Sequence, residues 1–205
     1  KIRFLDKLIA ARIKLSHFGY GFLSPETVPG KPLQYQATNK RIEIDKTDHL
    51  ILQELVRPNF LSKREISRTI NLPFSTLEYR LKKLETQGVI QGYYYMLNAE
   101  ALGYQSFMVQ LRIKDASQAK KKSLYNFCKE HPAAVVYIES IGAWDIEIYF
   151  NVMEARDIVL ITQQLHERFT SMIQSLKVIP VLSYHKLQEY PFREFKMPSY
   201  LSSKR

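Results

Sequence analysis

The sequence predicts an α+β protein in which a small helical domain precedes a sheet domain. Residues 45–96 contain three short helical patterns joined by tight turns. Between residues 97 and 192 the hydrophobic period alternates between two, as in strands, and about 3.6, as in helices. The order of these later elements is βαββαβ. This is the order of a ferredoxin-like sandwich, in which one antiparallel sheet carries both helices on one face.

The three helical patterns carry recognisable start and stop signals. Asp45 suits the N-cap of the first helix, and Ser62 with Glu65 forms the capping-box pattern of the second. The third tolerates Pro73 in its first turn, where a missing N–H costs little, and stops at Gly88. Helix, tight turn and helix together predict a helix-turn-helix motif.

The third helix has a narrow apolar stripe and a broad polar face. Leu77, Leu81 and Leu84 form the stripe, while hydroxyl, aromatic and basic side chains fall on the other side. Such an exposed basic face suits the major groove of DNA, although a trihelical surface bundle without a ligand has the same pattern. The candidate DNA-binding residues are Lys63, Arg64, Ser75, Thr76, Tyr79, Arg80, Lys82 and Lys83.

In the sheet domain, each predicted strand presents one apolar face, as Ile146, Ile148 and Phe150 illustrate. Pro180 cannot donate to a strand ladder, so the last strand should be an edge strand or carry a bulge. The sheet face opposite the helices needs a cover if it is apolar. This favours dimerisation through the sheet. We interpret residues 193–205 as a C-terminal tail.

Residues 1–44 are predicted to form an N-terminal arm and linker. A helical pattern at residues 2–9 is followed by a β-like run at residues 18–22. Residues 24–40 are rich in proline and polar residues, which is typical of a linker. The same order, a helix followed by a strand and then by proline, occurs at the end of the sheet domain. The segment is therefore either an arm without a relative or the tail of an upstream repeat.

Composition narrows the range of partners and locations. The net charge of +10 favours an anionic partner, although no long run of like charge exists. The single cysteine excludes an internal disulfide framework, and no apolar run approaches the roughly 18 residues of a membrane span. We therefore expect a cytoplasmic, nucleoid-associated protein. Because the chain begins with Lys1 rather than Met, the lack of a visible signal peptide carries little weight.

Catalytic and metal-binding patterns are not found in the sequence. The five histidines lack the spacing of metal ligands, and no phosphate loop or nucleophile–base pair is visible. We therefore expect no cofactor, no metal and no catalytic residue.

Three motifs occur in order along the chain. The pattern D-x-x-D-x-x-IL-x-x-L matches Asp45 to Leu55, and R-x-x-x-LE-x-x-GVI-x-G-Y matches Arg80 to Tyr93. The pattern G-x-aromatic-D matches Gly142 to Asp145 between two predicted strands. Over roughly residues 45–190 the chain thereby resembles the Lrp/AsnC family of transcription regulators, also called feast/famine proteins.

The resemblance implies a winged helix-turn-helix joined to a ferredoxin-like effector domain. Such proteins bind double-stranded DNA, dimerise through the sheet and often bind an amino acid at subunit contacts. It implies an effector role for Gly142, Trp144 and Asp145. The sequence departs from the family at the start of the third helix, where Pro73 replaces the usual Ser or Thr. Further departures on that helix are Phe74, Glu78 and Tyr79.

Two other functions are compatible with the same layout. Sirohaem decarboxylases resemble it but carry a histidine-rich H-N-Y-x-R stretch near the second strand. Here the corresponding PAAVVYIESIGAWD has no histidine or arginine between Pro132 and Asp145, which argues against this enzyme class. The departures at Pro73 and Glu78 motivate the second alternative, an effector-binding assembly protein whose DNA contacts have decayed.

Overall fold

The computed structural model describes residues 10–23, 31–36, 41–57, 62–95, 97–114 and 117–182. They form two compact units, and each is described by itself. The head unit consists of the described residues from 41 to 91. The sheet unit consists of those from 10 to 36 together with those from 92 to 182.

The head unit is a three-helix domain whose predicted caps are confirmed. Its helices are α1 (Lys46–Leu55), α2 (Lys63–Thr69) and α3 (Phe74–Thr86). Asp45 caps α1 by accepting from the backbone N–H of Asp48 at 2.8 Å. Ser62 and Glu65 form the predicted capping box of α2, in which the Ser62 N–H donates to Glu65 Oε2 at 2.7 Å.

The turn between α2 and α3 is held by one buried serine. The Ser67 hydroxyl donates to the Leu72 carbonyl at 2.6 Å, and the Leu72 N–H donates to the Ser67 carbonyl at 2.9 Å. Between them Asn71 adopts a left-handed conformation with φ 51°, which asparagine tolerates better than most residues. These bonds fix how the chain leaves α2 and enters α3, as a helix-turn-helix requires.

Apolar side chains from all three helices meet in one small core. The leucine stripe predicted on α3 is buried there, which confirms the helical period. After α3, Gly88 adopts φ 75° and the N–H groups of Val89 and Ile90 donate to the Leu84 carbonyl. The buried members of this core are Ile51, Leu52, Ile66, Leu77, Leu81 and Leu84.

The sheet unit is a six-stranded antiparallel sheet with two helices, in the strand order β2-β1-β4-β5-β3-β6. The last four strands and the two helices follow the predicted βαββαβ order. The elements are β1 (Ala10–His17), β2 (Leu33–Gln36), β3 (Gln105–Ile113), α4 (Gln118–Glu130), β4 (Ala134–Gly142), β5 (Ile146–Val152), α5 (Ala155–Phe169) and β6 (Ile173–Val181).

One face of this sheet packs against α4 and α5 to form the main core. Val109 and Leu111 on β3 pair in register with Ile148 and Ile146 on β5, and all four are buried. This confirms the predicted apolar faces. Only β3 borders β6, so the strand that contains Pro180 is an edge strand, as predicted.

The opposite face of the sheet is not simply apolar. Gln110 and Glu147 pair in register there and are both buried, and Arg12 Nη2 lies 3.7 Å from the Glu147 carboxylate. Asn151 Oδ1 accepts from the Ser106 hydroxyl at 2.8 Å. An apolar face in need of a cover was the physical reason for predicting dimerisation, and these polar groups weaken that reason.

Three local predictions need correction. The N-terminal strand lies at residues 10–17, whereas residues 18–22 hold no strand; β2 lies inside the predicted linker. The alternating run VIQGYYYML after Gly88 predicts a short strand pair, but residues 89–95 hold no strand, because the amides of Val89 and Ile90 are already used to end α3. The helical pattern predicted at residues 2–9 lies outside the described residues.

The chain before the head unit contacts the chain after it within the sheet unit. We call these contacts the clasp. Leu33 on β2 packs so tightly against Gly92 that a Cβ added at Gly92 would lie 2.0 Å from Leu33 Cδ1. The Tyr20 hydroxyl donates to the Tyr95 carbonyl at 2.6 Å and accepts from the Leu97 N–H at 2.9 Å. The two segments of the sheet unit that flank the head unit in sequence therefore contact each other.

Two histidines of the sheet unit, the buried His17 and the half-buried His131, each accept a backbone hydrogen bond, as a neutral imidazole can. His17 Nδ1 accepts from the Gly19 N–H at 3.1 Å, and His131 Nδ1 accepts from the Ala133 N–H at 3.2 Å. The His17 ring also lies 4.8 Å from that of Tyr94. Burial lowers the pKa of both histidines from the usual 6.5, because desolvation disfavours the charged form.

We predict that the sheet unit becomes less stable as the pH falls below about 6.5. There the unfolded chain binds protons that His17 and His131 bind less readily when folded, so protonation favours unfolding. Thermal unfolding followed by the fluorescence of Trp144, the chain's single tryptophan, measures this at a series of pH values.

The matched variant replaces both histidines by asparagine, which keeps an acceptor for the amide two residues ahead but does not titrate. Its unfolding temperature should depend less on pH between 7.5 and 5.5. An equally steep dependence in the variant would contradict the assignment to His17 and His131.

Candidate nucleic-acid interface

The polar face of α3 is open to solvent. Ser75, Tyr79 and Lys82 are exposed, and Tyr79 retains 71% of its accessible surface. Thr76 and Lys83 flank them and are partly buried. These five predicted residues thus share one side of the helix, opposite the buried leucines.

The start of α3 is connected to the start of α2 by two contacts. The Arg64 guanidinium lies 5.9 Å from the centroid of the Phe74 ring, within the range of a cation–π interaction. Lys63 Nζ lies 3.9 Å from Glu78 Oε1, and both side chains are more than half exposed. The predicted residues Lys63 and Arg64 therefore lie beside the first two turns of α3.

Pro73 is the N-cap of α3 and gives it no side-chain hydrogen bond. The helix begins one residue later than predicted, at Phe74, and its first backbone bond runs from the Leu77 N–H to the Pro73 carbonyl at 3.0 Å. A Ser or Thr at this position would accept from an amide of the first turn. The departure from the family pattern is thus a lost cap.

Arg80, which was predicted to contact DNA, also has a structural role within the head unit. Its Nη1 donates to Asp45 Oδ2 at 2.7 Å and to Asp48 Oδ1 at 2.8 Å. The Asp48 side chain is 2% exposed and that of Arg80 is 24% exposed. Sequence periodicity missed this pair because the partners are more than 30 positions apart. The available signal for these ion pairs was that two carboxylates lie at the start of α1 and one cation lies at the edge of the leucine stripe of α3.

The ion pairs shift the pKa values of Asp45 and Arg80. Burial opposes the charged form of Asp45, but hydrogen bonds from Arg80 and from backbone N–H groups outweigh it and lower its pKa. Hydrogen bonds to Asp45 and Asp48 raise the pKa of Arg80. Since the pKa of Asp45 is lowered on folding, its stabilising effect is present above about pH 4 and is lost as the pH falls through the lowered value.

The predicted effector residues lie at the turn between β4 and β5. Asp145 Oδ2 accepts from the Ile113 N–H at 2.9 Å, and the Asp145 N–H donates to the Leu111 carbonyl at 2.9 Å. The Asp145 carbonyl accepts from the Ser140 N–H at 2.8 Å. Asp145 therefore ties the β4–β5 turn to the end of β3, which agrees with the alternative interpretation of this motif as a strand turn with a capping acid.

Trp144 carries an unsatisfied polar atom at the same turn. Its Nε1 is buried and has no hydrogen-bond partner among the described residues. Gly142, two residues earlier, is exposed and adopts φ 135°, a conformation that favours glycine. A buried donor without an acceptor costs free energy, so this N–H is a natural partner for an acceptor group on a ligand.

The described residues contain neither a thiol in a reactive environment nor a cluster of metal ligands. Burial raises the pKa of the Cys128 thiol, which disfavours the reactive thiolate. Within the described ranges, no three His, Cys, Asp or Glu side chains come together as metal ligands would. None of the helices described is both long and apolar enough to span a bilayer.

Comparison with known proteins finds relatives both of the head unit alone and of a longer part of the chain. A family model described as "Winged helix-turn-helix DNA-binding" matches residues 44–91. An uncharacterized HTH-type transcriptional regulator of Pyrococcus horikoshii is 31% identical over 120 residues, which cover 58% of this chain and 75% of the relative. The leucine-responsive regulatory protein of Rhizobium meliloti is 39% identical over 64 residues, which cover 31% of this chain and 41% of that protein.

Solved structures share the fold. An AsnC family transcriptional regulator from Agrobacterium tumefaciens aligns with a TM-score of 0.58 and 17% identity over 76% of this chain and 97% of that one. A transcriptional regulator from Neisseria meningitidis, solved in complex with L-Met, aligns with a TM-score of 0.58 and 24% identity over 72% of this chain and 95% of that one.

We predict that Arg80→Gln destabilises the head unit by about 2–4 kcal/mol, because it leaves the buried Asp48 carboxylate without its cation. Amide hydrogen exchange of α1 and α3 should accelerate, while the thermal transition of Trp144 fluorescence in the sheet unit stays in place. Lys82→Gln, an exposed change on the same helix, is the control and should alter stability by less than about 0.5 kcal/mol. Equal protection of α3 in Arg80→Gln and wild type would show that the ion pairs contribute little.

Proposed function

We propose that this chain, which belongs to the Lrp/AsnC family of HTH-type transcription regulators, reads specific DNA sequences with α3 and responds to a small effector at the β4–β5 turn. As a DNA-binding regulator of this type, it has double-stranded DNA as its partner. The named DNA contacts, the effector site and self-association are the proposed parts. The single observation that carries the DNA contacts is the exposed polar face of α3 opposite its buried leucines.

In this proposal α3 lies in the major groove and α2 contacts the backbone beside it. Lys82 and Lys83 bind phosphates, and the hydroxyls of Ser75 and Thr76 reach phosphates or base edges. Lys63 and Arg64 at the start of α2 supply further positive charge beside α3. Arg80 is a positioning residue that holds α3 against the start of α1 and does not itself contact DNA.

We predict that Lys82→Gln and Lys83→Gln each weaken binding of all DNA sequences alike. Each substitution should reduce the slope of log affinity against log salt by about 0.9, the value for one lost phosphate contact. Fluorescence anisotropy with labelled duplexes, first selected from a random pool, measures both quantities at several salt concentrations.

Lys177→Gln, an exposed change on β6, is the matched control and should leave the slope unchanged. Undetectable or salt-insensitive DNA binding by the intact protein would refute the proposed contacts. That result would favour the alternative of an assembly protein whose DNA contacts have decayed.

The effector part of the proposal is supported by two polar groups of the β4–β5 turn, the unsatisfied Trp144 Nε1 and the Asp145 carboxylate of the next residue. An indole N–H can donate to a carboxylate, and an aspartate can accept from an ammonium group. An amino acid carries both groups. The related Neisseria structure contains L-methionine, which makes an amino acid a reasonable first class to test here.

We predict that at least one of the twenty L-amino acids changes the fluorescence of Trp144 in a saturable way. Since Trp144 is the single tryptophan, the signal reports this turn alone. Asp145→Asn should abolish the response while it preserves an acceptor for the Ile113 N–H, and hence the fold.

Light scattering with and without the responding amino acid tests whether self-association follows ligand binding. The absence of a fluorescence change, together with an unchanged unfolding temperature for all twenty amino acids, would contradict an amino-acid effector.

A further inference from the structure

We infer that Tyr79 determines sequence specificity by packing its ring against the 5-methyl group of a thymine in the major groove. The inference rests on the proposed role of α3 as the recognition helix. It deepens that role by naming the base feature that is read.

Tyr79 is the apolar residue most clearly presented to a partner on α3. It retains 71% of its accessible surface, although an aromatic side chain gains free energy when it is buried. Within the described part of the chain it takes part in no hydrogen bond, ion pair or ring contact. The residue thus has no evident role in holding the head unit together.

The helical position of Tyr79 leaves its ring accessible. It lies on the side of α3 directly away from the core leucines, with Ser75 four residues before it. Helical side chains lean toward the N-terminus, so the ring extends over the position of Ser75, whose small side chain does not cover it. Lys82 and Lys83 follow by three and four residues and flank the ring on the C-terminal side.

In this arrangement the lysines and Tyr79 have different tasks. The lysines supply charge for phosphates, which positions the helix but does not distinguish sequences. The thymine methyl is the apolar group that a base pair presents in the major groove, so an exposed ring gains most by removing water from it. Lys63 lies 3.9 Å from Glu78, and Arg64 lies over the Phe74 ring, so Tyr79 is the aromatic side chain of α3 that has no partner among the described residues.

The experiment removes the methyl group rather than the base. Duplexes that bind the wild-type protein are first selected from a random pool. Each thymine of a selected duplex is then replaced in turn by deoxyuridine, which keeps every hydrogen-bonding group and lacks only the methyl. At one thymine per half-site we expect binding about fourfold weaker, the factor that corresponds to burial of one methyl group.

Variants assign this effect to the ring. Tyr79→Ala should bind the thymine and deoxyuridine duplexes equally at that position, whereas Tyr79→Phe should keep the fourfold difference. Lys82→Gln is the matched control: it should weaken binding to both duplexes by the same factor and leave their ratio unchanged. Circular dichroism checks that each variant folds. We expect the Tyr79 variants to fold because this side chain is exposed.

Three results would overturn the inference. Wild-type binding could be indifferent to deoxyuridine at every position, Tyr79→Ala could keep the full difference, or Tyr79→Phe could lose it because the hydroxyl does the reading. Each of these leaves the proposed DNA-binding function intact, since selected duplexes still bind. Failure to select any duplex would instead remove the proposed function and this inference together.

Discussion

The exposed face of the head unit depends on how Arg80 joins α3 to the beginning of α1. One guanidinium nitrogen binds both the exposed N-cap aspartate and a buried aspartate three residues later. Six apolar side chains are buried in the core of this unit, and because apolar packing is non-directional it leaves α3 some freedom to rotate about its axis. A directional contact at the edge of the leucine stripe removes that freedom, because the hydrogen bonds hold only over a narrow range of angles. The side of α3 that faces solvent is therefore set by an interaction on its opposite, buried edge.

The two ends of α3 are capped differently. Its C-terminus is closed by Gly88 and by amides that bond to the Leu84 carbonyl, whereas its N-terminus lacks a side-chain cap. The contacts of Arg64 with Phe74 and of Lys63 with Glu78 lie near this uncapped end and bring positive charge to it. In the proposed complex, that end meets an anionic backbone.

Local signals predicted much of the fold, and the failures have physical causes. The caps at Asp45 and Ser62, the leucine stripe and the faces of β3 and β5 depend on neighbours within a few residues, and periodicity detects these. β1 was misplaced because its buried residues, Ser16 and His17, are polar, and its partner strand lies more than a hundred residues later. The structural role of Arg80 was missed because its partners, Asp45 and Asp48, are also distant in sequence. For the effector turn, the sequence indicated the position but not that the Asp145 carboxylate already accepts from a backbone amide.

The clasp has a consequence for how this protein can be divided. The sheet unit is discontinuous in sequence, since β1 and β2 precede the head unit and the other four strands follow it. A shortened chain that started at the first residue of the head unit would lose two strands and leave β4 with an unpaired edge. Unpaired edges recruit other strands and promote aggregation. The head unit is an insertion in the sequence of the sheet unit, so exchanging it between regulators requires two junctions and must keep the contact between Leu33 and Gly92.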